Sequence, residues 1–204
     1  GGDFTNKICI GTIFTNADLT KANFTGADLT KANFTGADLT GADLSNASLK
    51  DAVLTDANLN NAVLKGADLE HASLNNAVLT GADLENVNLR RATLKNASLK
   101  KAKLINADLT NASLNNANLI LADFTNANLT RADLTNANCK EDPYLTGETN
   151  FTGANLTKAI FTGIIIPHVP NRPQINFHGA NLTDVINLTN EEDRKKHKYT
   201  ANSL

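Results

Sequence analysis

Histidine and cysteine are the residue types of this sequence best suited to metal binding or nucleophilic chemistry. No two histidines have the spacing of typical metal ligands: they are His71, His168, His178 and His197. Two cysteines, Cys9 and Cys139, are too few for a disulfide framework. No Gly-rich phosphate-binding loop is present. We therefore predict that the protein is not an enzyme and has neither a cofactor nor a metal site.

The charge balance excludes other functional classes. Nineteen basic and 21 acidic side chains in 204 residues give a net charge of −2. Such a balance gives no reason to expect direct contact with nucleic acid or a membrane surface. No apolar run approaches the length of a membrane span, so we expect no membrane insertion. Recurrent Asn-x-Ser/Thr triplets favour a bacterial, organellar or cytosolic protein, because a eukaryotic secretory pathway would load the surface with glycans.

A period of five residues governs most of the chain. Every fifth position from Phe14 to Leu134 is Leu or Phe, which makes 25 consecutive positions. Two residues before each of these, Ala recurs from Ala17 to Ala137, with Val87 as the one exception. The residue between them is usually Asp, Asn or Ser. The repeated unit is therefore A-(D/N)-L-T-x, and internal repeats of this kind dominate a fold.

Neither a helix nor a continuous strand can use this period. In a helix, residues five apart would rotate by roughly 140° and spread around the axis. In a strand, side chains alternate with period two, so an odd repeat would reverse its face at each unit. Each unit must contain a short extended segment, with Ala and Leu on one side, and a polar corner. Stacked coils of such units would bury Leu and Ala and pair their backbones with neighbouring coils.

The phenylalanines restrict the number of sides of each coil. They recur every ten residues at Phe4, Phe14, Phe24 and Phe34, which suits an even number of sides. A three-sided coil would scatter them over all its sides. Two sides and four sides both remain compatible with this spacing.

The run from about residue 14 to residue 138 resembles the pentapeptide-repeat family, whose motif has a central Leu or Phe with Ala two positions earlier. The resemblance implies an all-β fold, a right-handed four-sided parallel β-helix with four pentapeptides per coil. Centres from Phe4 to Cys139 then give 28 units in seven coils, a rod of roughly 35 Å. The family is abundant in cyanobacteria, in the cytoplasm, periplasm or thylakoid lumen, so the resemblance assigns no single compartment.

Breaks in the period define the expected domain organisation. One β-helix domain should cover residues 1–186, with regular coils over 1–139 and irregular coils over 151–186. Loops are predicted at 140–150 and 163–176, where prolines and glycines interrupt the repeat. Residues 187–204 are polar, with Thr189 and Glu192 as a capping box, and should form a short helix or a tail. We expect the irregular C-terminal region to cap the solenoid, with a binding loop as the alternative.

The repeat also assigns a direction to each side chain. Cys9 and Cys139 occupy central positions, so they should be buried near opposite ends of the rod, too far apart for a disulfide. Side chains between Ala and Leu should face outward and stack in columns twenty residues apart. In the two columns that begin at Asp3 and Ile8, carboxylates alternate with neutral or basic residues, which avoids like charges on adjacent coils.

Two departures from the repeat are candidates for an interaction surface. One coil carries six basic residues and no acid between residues 87 and 104, which we call the basic girdle: Arg90, Arg91, Lys95, Lys100, Lys101 and Lys103. Ile105, Ile120 and Leu121 stand at positions expected to face outward, where they could seed a homodimer contact. We therefore expect a rigid scaffold for protein–protein interaction, with a partner that the sequence does not identify.

The resemblance implies an alternative function. Some members of the family resemble B-form DNA in size and charge, bind DNA gyrase and confer resistance to topoisomerase poisons of the quinolone type. The most acidic side expected here carries Asp3, Asp43, Asp83, Glu85 and Asp123 against Lys65 and Lys103. Duplex DNA carries one charge per roughly 1.7 Å of axis, so mimicry by this chain would be weak.

Overall fold

The computed structural model describes residues 1–140, 147–164 and 175–186. Within them, the backbone repeats a short extended segment followed by a two-residue turn every five residues. Two strands of two residues are present, β1 (Thr149–Asn150) and β2 (Ile175–Asn176), which pair in parallel. All other pairing in the described residues occurs through single-residue parallel bridges. The fold is a β-solenoid made of very short sheet segments.

The bridges fix the size of one coil. They join residues twenty apart, from Asp3 with Asn23 to Asn118 with Asn138. Twenty residues contain four pentapeptides, so each coil has four sides, and a two-sided coil is excluded. We label the sides by the outward residue that each has in coil 1 (residues 1–20): side A has Asp3, side B Ile8, side C Ile13 and side D Asp18. The right-handed sense stays a prediction from the family.

Backbone hydrogen bonds link each coil to the next in a constant pattern. Between coils 1 and 2 on side A, the Asn23 N–H donates to Gly2 O at 2.9 Å and the Phe4 N–H donates to Asn23 O at 2.7 Å. The outward residue thus directs both of its backbone groups toward the preceding coil. The Lys7 N–H donates to Phe4 O at 3.0 Å and closes the corner. Interior coils therefore satisfy their backbone groups on both edges.

The core consists of the two inward positions of each pentapeptide. Every central residue from Leu19 to Leu134 and every preceding Ala or Val from Ala22 to Ala137 is buried. The inward placement of both residues is confirmed. Phenylalanines twenty apart stack face to face, with ring centroids 4.6 Å apart for Phe4 and Phe24. This stacking explains why Phe recurs on alternate sides of the first coils.

The corners require a left-handed backbone at the second residue after each centre. Asn is the commonest residue there, with φ near +57°, for example at Asn96 (58°) and Asn116 (57°). Asn tolerates this region better than most residues. On the corner between sides C and D, Asn96 Nδ2 donates to Asn76 Oδ1 at 3.1 Å, and Asn116 Nδ2 donates to Asn96 Oδ1 at 3.3 Å. These Asn ladders tie successive corners together.

The threonine of the repeat stabilises the same corner. The Asp28 carboxylate accepts hydrogen bonds from the Thr30 N–H at 3.1 Å and the Thr30 hydroxyl at 2.6 Å. Equivalent bonds from the hydroxyl and N–H of Thr5 lower the pKa of Asp3, and those of Thr20 lower the pKa of Asp18. The ionised carboxylate is therefore the form that this turn stabilises.

Two insertions extend the chain without ending the stack. Side A pairs residues 27 apart at Asp123 and Asn150, and 26 apart at Asn150 and Asn176, in place of twenty. Seven and six extra residues thus enter between successive passages of side A. The loops at 140–150 and 163–176 stay predictions, and β1 and β2 lie at the C-terminal ends of these two ranges. Residues 141–146 and 165–174 lie outside the described residues, as does the predicted C-terminal helix or tail at 187–204.

The two cysteines differ in their surroundings. Both are free thiols, Cys9 on side B of coil 1 and Cys139 on side D six coils later. Cys139 is buried as predicted, and burial raises the pKa of its thiol to about 12, although a hydrogen bond with the Thr149 side chain opposes the rise. Cys9 is half-buried, because coil 1 has a neighbour on one edge alone.

Substitution of Ala72 by Leu should destabilise the core. Ala72 is fully buried against neighbouring coils, so three added carbons overpack it and should lower the free energy of unfolding by about 1–3 kcal/mol. Chemical denaturation followed by circular dichroism measures the change. The matched control is Ser73→Val, because Ser73 faces outward in the column that already contains Val53. Equal stability of the Ala72→Leu variant and wild type would contradict the inward packing of Ala.

Thiol labelling should distinguish the two cysteines. The thiolate is the reactive form, so the buried Cys139 should resist iodoacetamide at pH 8 in the native state. Cys9 is half-buried and should react first. Mass spectrometry of tryptic peptides assigns the label to each position, and denatured protein provides the control in which both react. Labelling of Cys139 as fast as Cys9 in the folded protein would show that its burial is wrong.

Candidate interaction surface

The basic girdle occupies three corners and one side of the solenoid. By the twenty-residue register, Arg90 and Arg91 lie at the corner between sides B and C, and Lys95 lies between sides C and D. Lys100 and Lys101 lie between sides D and A, and Lys103 is the outward residue of side A. The predicted distribution around one coil is therefore present, although its members differ in their partners.

Arg90 is neutralised within the solenoid. Its Nη1 lies 3.4 Å from Asp108 Oδ2 in the following coil, and its Nε lies 4.0 Å from Glu70 Oε1 in the preceding coil. Ion pairs at a solvent-exposed surface contribute little to stability. These two ion pairs nevertheless neutralise the Arg90 guanidinium, so Arg90 is poorly placed to bind a partner.

Lys95 and Lys100 have different surroundings. Lys95 is exposed and forms no salt bridge among the described residues, although its charge acts on Asp133. Burial alone would raise the pKa of the Asp133 carboxyl. Hydrogen bonds from Thr135 and Asn115 and the charge of Lys95 together outweigh this effect, so the pKa lies below the ordinary value. The contribution of Asp133 to stability is therefore present above the ordinary Asp pKa and lost as the pH falls through the lowered pKa. Lys100 is half-buried and engaged in an interaction with the rest of the protein.

Besides Lys95, the available cations of the girdle are Arg91, Lys101 and Lys103. All three are exposed, and among the described residues none of them forms a salt bridge. Arg91 and Lys101 stand at left-handed corner positions, with φ of 58° and 60°. Lys103 follows Asp83 in the column of side A, but Lys65 already pairs with Asp83 at 3.3 Å.

The three side chains of the predicted apolar contact are less exposed than their outward positions imply. Ile105, Ile120 and Leu121 were expected to face outward, and all three are half-buried. A Cβ added at Gly147 would lie 3.0 Å from Leu121 Cδ2, so Leu121 contacts the segment that follows the first insertion. Neighbouring coils cover the flanks of these side chains. Their role in self-association stays a prediction.

The largest exposed apolar side chains lie elsewhere. In coil 1, Ile8 is 80%, Ile13 76% and Ile10 55% exposed. These residues are not among the interaction residues predicted from the sequence, although their positions carry a signal. Ile8 and Ile13 occupy outward positions that the next coil fills with Asp28 and Asn33.

The part of the chain that the structure describes contains neither a metal site nor a membrane-spanning helix. It contains no group of three or more His, Cys, Asp or Glu side chains arranged to hold a metal ion. In the same residues, no helix has the length and apolar character that crossing a membrane requires. The candidate site is therefore a surface of the rod.

Family models match the repetitive region. A model of a pentapeptide repeat region matches residues 11–84, and a model of pentapeptide repeats in eight copies matches residues 72–111 and 102–138. The chain belongs to the pentapeptide repeat family. Its resemblance to that family, including cyanobacterial members, is thus confirmed. No curated protein matches the chain.

Solved pentapeptide repeat structures resemble this protein to different degrees. HetL of the cyanobacterium Nostoc sp. strain PCC 7120, involved in heterocyst differentiation regulation, is 28% identical over 90% of this chain and 87% of its own, with a TM-score of 0.49. A thylakoid-lumen protein of Arabidopsis thaliana is 37% identical over 48% of this chain and 69% of its own, with a TM-score of 0.48. QnrB1, a plasmid-mediated fluoroquinolone resistance protein, is 18% identical over 96% of this chain and 92% of its own, with a TM-score of 0.69. The match to QnrB1 shows a shared fold.

Proposed function

We propose that this pentapeptide repeat protein is a non-enzymatic scaffold that binds an acidic protein surface through Arg91, Lys101 and Lys103. The observation that carries the proposal is the division of the girdle. Arg90 and Lys100 are engaged within the solenoid, whereas Arg91, Lys101 and Lys103 are exposed and have no ion-pair partner in the described residues. Lys95 is also exposed and unpaired there, but its charge lowers the pKa of Asp133. Charges held on a rigid scaffold can select a complementary partner without a large loss of conformational freedom.

The distribution of polar groups supports a binding role over catalysis. Catalysis requires a unique cluster of perturbed groups in a cleft. Here the side chains of the solenoid interior are buried Leu, Ala and Phe. The carboxylates are spread over the outward columns and the corners, for example Asp43, Asp83 and Asp123 on side A.

Charge also favours a protein partner over nucleic acid. Residues 1–140 contain 14 carboxylates and 13 basic side chains. Lys103 follows Asp83 and precedes Asp123 in its column, so a continuous polyanion along side A would meet like charges. A protein surface can place isolated carboxylates opposite the three cations and avoid those acids.

The triple substitution Arg91→Ser, Lys101→Ser and Lys103→Ser should remove partner binding and leave the fold intact. A pull-down from a lysate of the source cells, with tagged wild type as reference, identifies proteins whose recovery depends on these side chains. We expect recovery of the partner to fall by about tenfold or more, since hydrogen-bonded charge pairs contribute on the order of 1.5–3 kcal/mol each.

The chain offers a matched control for this experiment. Lys21 occupies the same corner as Lys101 four coils earlier, and Lys31 the same corner as Arg91 three coils earlier. Both have a left-handed backbone, with φ of 55° and 58°. The variant Lys21→Ser with Lys31→Ser removes cations from identical corners outside the girdle and should retain the partner. Equal recovery by the triple variant and wild type would overturn the proposed binding surface.

DNA mimicry with gyrase binding is the alternative that the family implies. The acids and bases of residues 1–140 sum to a net charge of −1. A DNA duplex as long as seven coils, about 34 Å, would carry roughly twenty charges. The described coils therefore do not favour this function. A gyrase supercoiling assay tests it directly, and inhibition or protection of gyrase at micromolar protein would replace the scaffold proposal.

A further inference from the structure

The corners between sides B and C carry a line of exposed cations, of which the proposed function uses Arg91 alone. The second corner residue of this column is exposed in every coil that the structure describes. Over five successive coils it is never acidic: His71, Arg91, Asn111, Arg131 and Lys158. We call these five residues the basic edge. Asp51 precedes it and Asp184 follows it in the same column.

Backbone hydrogen bonds fix the residues of the basic edge in a row along the rod. The Arg91 N–H donates to Thr110 O in the following coil at 3.0 Å. The Arg131 N–H donates to Thr157 O at 2.9 Å in the same way, across the first insertion. Successive coils lie about 4.8 Å apart, so Arg131 is roughly 9.6 Å from Arg91 along the axis, and Lys158 is roughly 4.8 Å further. The three side chains therefore start from fixed points of one row.

The residue types of the basic edge are unusual for their backbone conformation. A left-handed backbone favours Gly and Asn. At the corners between sides A and B, every described residue with this conformation is Asn or Gly. At the corners between sides B and C, only Gly11 and Asn111 are, although φ is as positive, with 58° at Arg91, Arg131 and Lys158. These three side chains are exposed, so packing does not require them. Residues held in unfavourable backbone conformations are concentrated where proteins bind ligands.

The charges of the basic edge are available to an anion from outside. Among the described residues, none of its cations takes part in a salt bridge. The outward columns beside its last four residues contain two acids, Asp108 and Asp133. Asp108 Oδ2 lies 3.4 Å from Arg90 Nη1. Asp133 Oδ1 accepts from the Thr135 N–H at 2.9 Å, so this carboxylate is directed to the next corner of the coil. Both acids are thus engaged with other groups.

The spacing of these cations matches an extended peptide. In an extended chain, alternate side chains share a face and lie about 6.7 Å apart, so three of them span roughly 13 Å. The row from Arg91 to Lys158 spans about 14 Å. A line of cations one residue wide can pair with a narrow ligand, whereas a broad acidic surface would leave most of its charges unpaired. A longer polyanion, such as a nucleic acid strand, would meet the carboxylates of Asp51 and Asp184.

We propose that the basic edge binds an extended acidic segment of the partner, which lies parallel to the rod axis. The inference rests on the proposed function, because both need Arg91 and an acidic partner. It adds the form of the ligand, which is a segment with carboxylates at alternate positions. The basic edge from His71 to Lys158 is about 19 Å long, so it accommodates about six residues of extended chain.

Fluorescence anisotropy of a labelled peptide, titrated with the full chain, tests the basic edge. The probe is a seven-residue peptide in which four Glu alternate with three Ser, so its carboxylates share one face over about 20 Å. We expect saturable binding at low ionic strength. In about 0.15 M salt the binding should weaken by roughly tenfold, because salt screens charge pairs at an exposed surface.

The variant Arg131→Asn with Lys158→Asn removes two cations that the girdle does not contain. Asn already occupies this column at Asn111, with φ of 60°, so the fold should be kept, and circular dichroism checks it. We expect peptide binding about tenfold weaker than that of wild type. The matched control is Lys21→Asn with Lys31→Asn, which removes two cations from left-handed positions outside the basic edge. It should bind the peptide as wild type does.

Two further probes test the form and the chemistry of the ligand. A peptide with four consecutive Glu followed by three Ser places its carboxylates on two faces over about 10 Å. It should bind at least about threefold more weakly than the alternating peptide, because its carboxylates cannot reach all three cations. A five-nucleotide oligothymidylate of the same net charge should also bind more weakly. Equal or tighter binding of either probe would overturn the assignment of an extended acidic segment.

The double variant of Arg131 and Lys158 also separates this inference from the proposed function. In the pull-down, we expect it to lose the partner as the triple girdle variant does. Loss of the partner by the triple variant with normal recovery by the double variant would overturn the basic edge and leave the girdle proposal standing. The reverse result would overturn the girdle and support the basic edge. Equal peptide affinity of the double variant and wild type would overturn the basic edge whatever the pull-down gives.

Discussion

The twenty-residue register of hydrogen bonds between coils is the constraint on which the rest of the structure depends. It places each outward side chain directly over one from the coil before, so residues twenty apart become neighbours. The Asn ladder at Asn76, Asn96 and Asn116 follows from it. So do the ion pairs of Lys65 and Arg90, whose partners lie 18 or 20 residues away in sequence. The columns, not the sequence neighbours, determine the electrostatic environment of each surface residue.

Register explains which parts of the structure could be predicted from the residues. A five-residue period with two apolar positions leaves one way to bury Leu and Ala, and both are buried as expected. The number of sides was open, because Phe recurring every ten residues fits two sides as well as four. The left-handed backbone at corner residues such as Asn96 and Lys101 is seen only in the structure, and the hydrogen bonds between corners depend on it.

The candidate site was predicted less well than the fold. Burial of an outward residue depends on what the adjacent coils carry, and this is a property of the stack. Ile105 and Leu121 are half-buried because coils cover them on both edges, whereas Ile8 and Ile13 are exposed because coil 1 has one covered edge. Likewise, Arg90 and Arg91 are adjacent in sequence, yet Arg90 alone meets carboxylates in the neighbouring coils. Composition identified the girdle, and the columns separated its free cations from its engaged ones.

The coil length has a further consequence for folding kinetics. Nearly all contacts outside a pentapeptide join residues about twenty apart in a chain of 204, which is a relative contact order of roughly 0.1. All-β proteins usually have larger values and fold slowly, because their strands must find distant partners. Here each coil closes on the coil before it, so a nucleus of two coils can grow by addition of one side at a time. We expect this β-solenoid to fold on the timescale of helical bundles, with the two insertions as the slowest steps of loop closure.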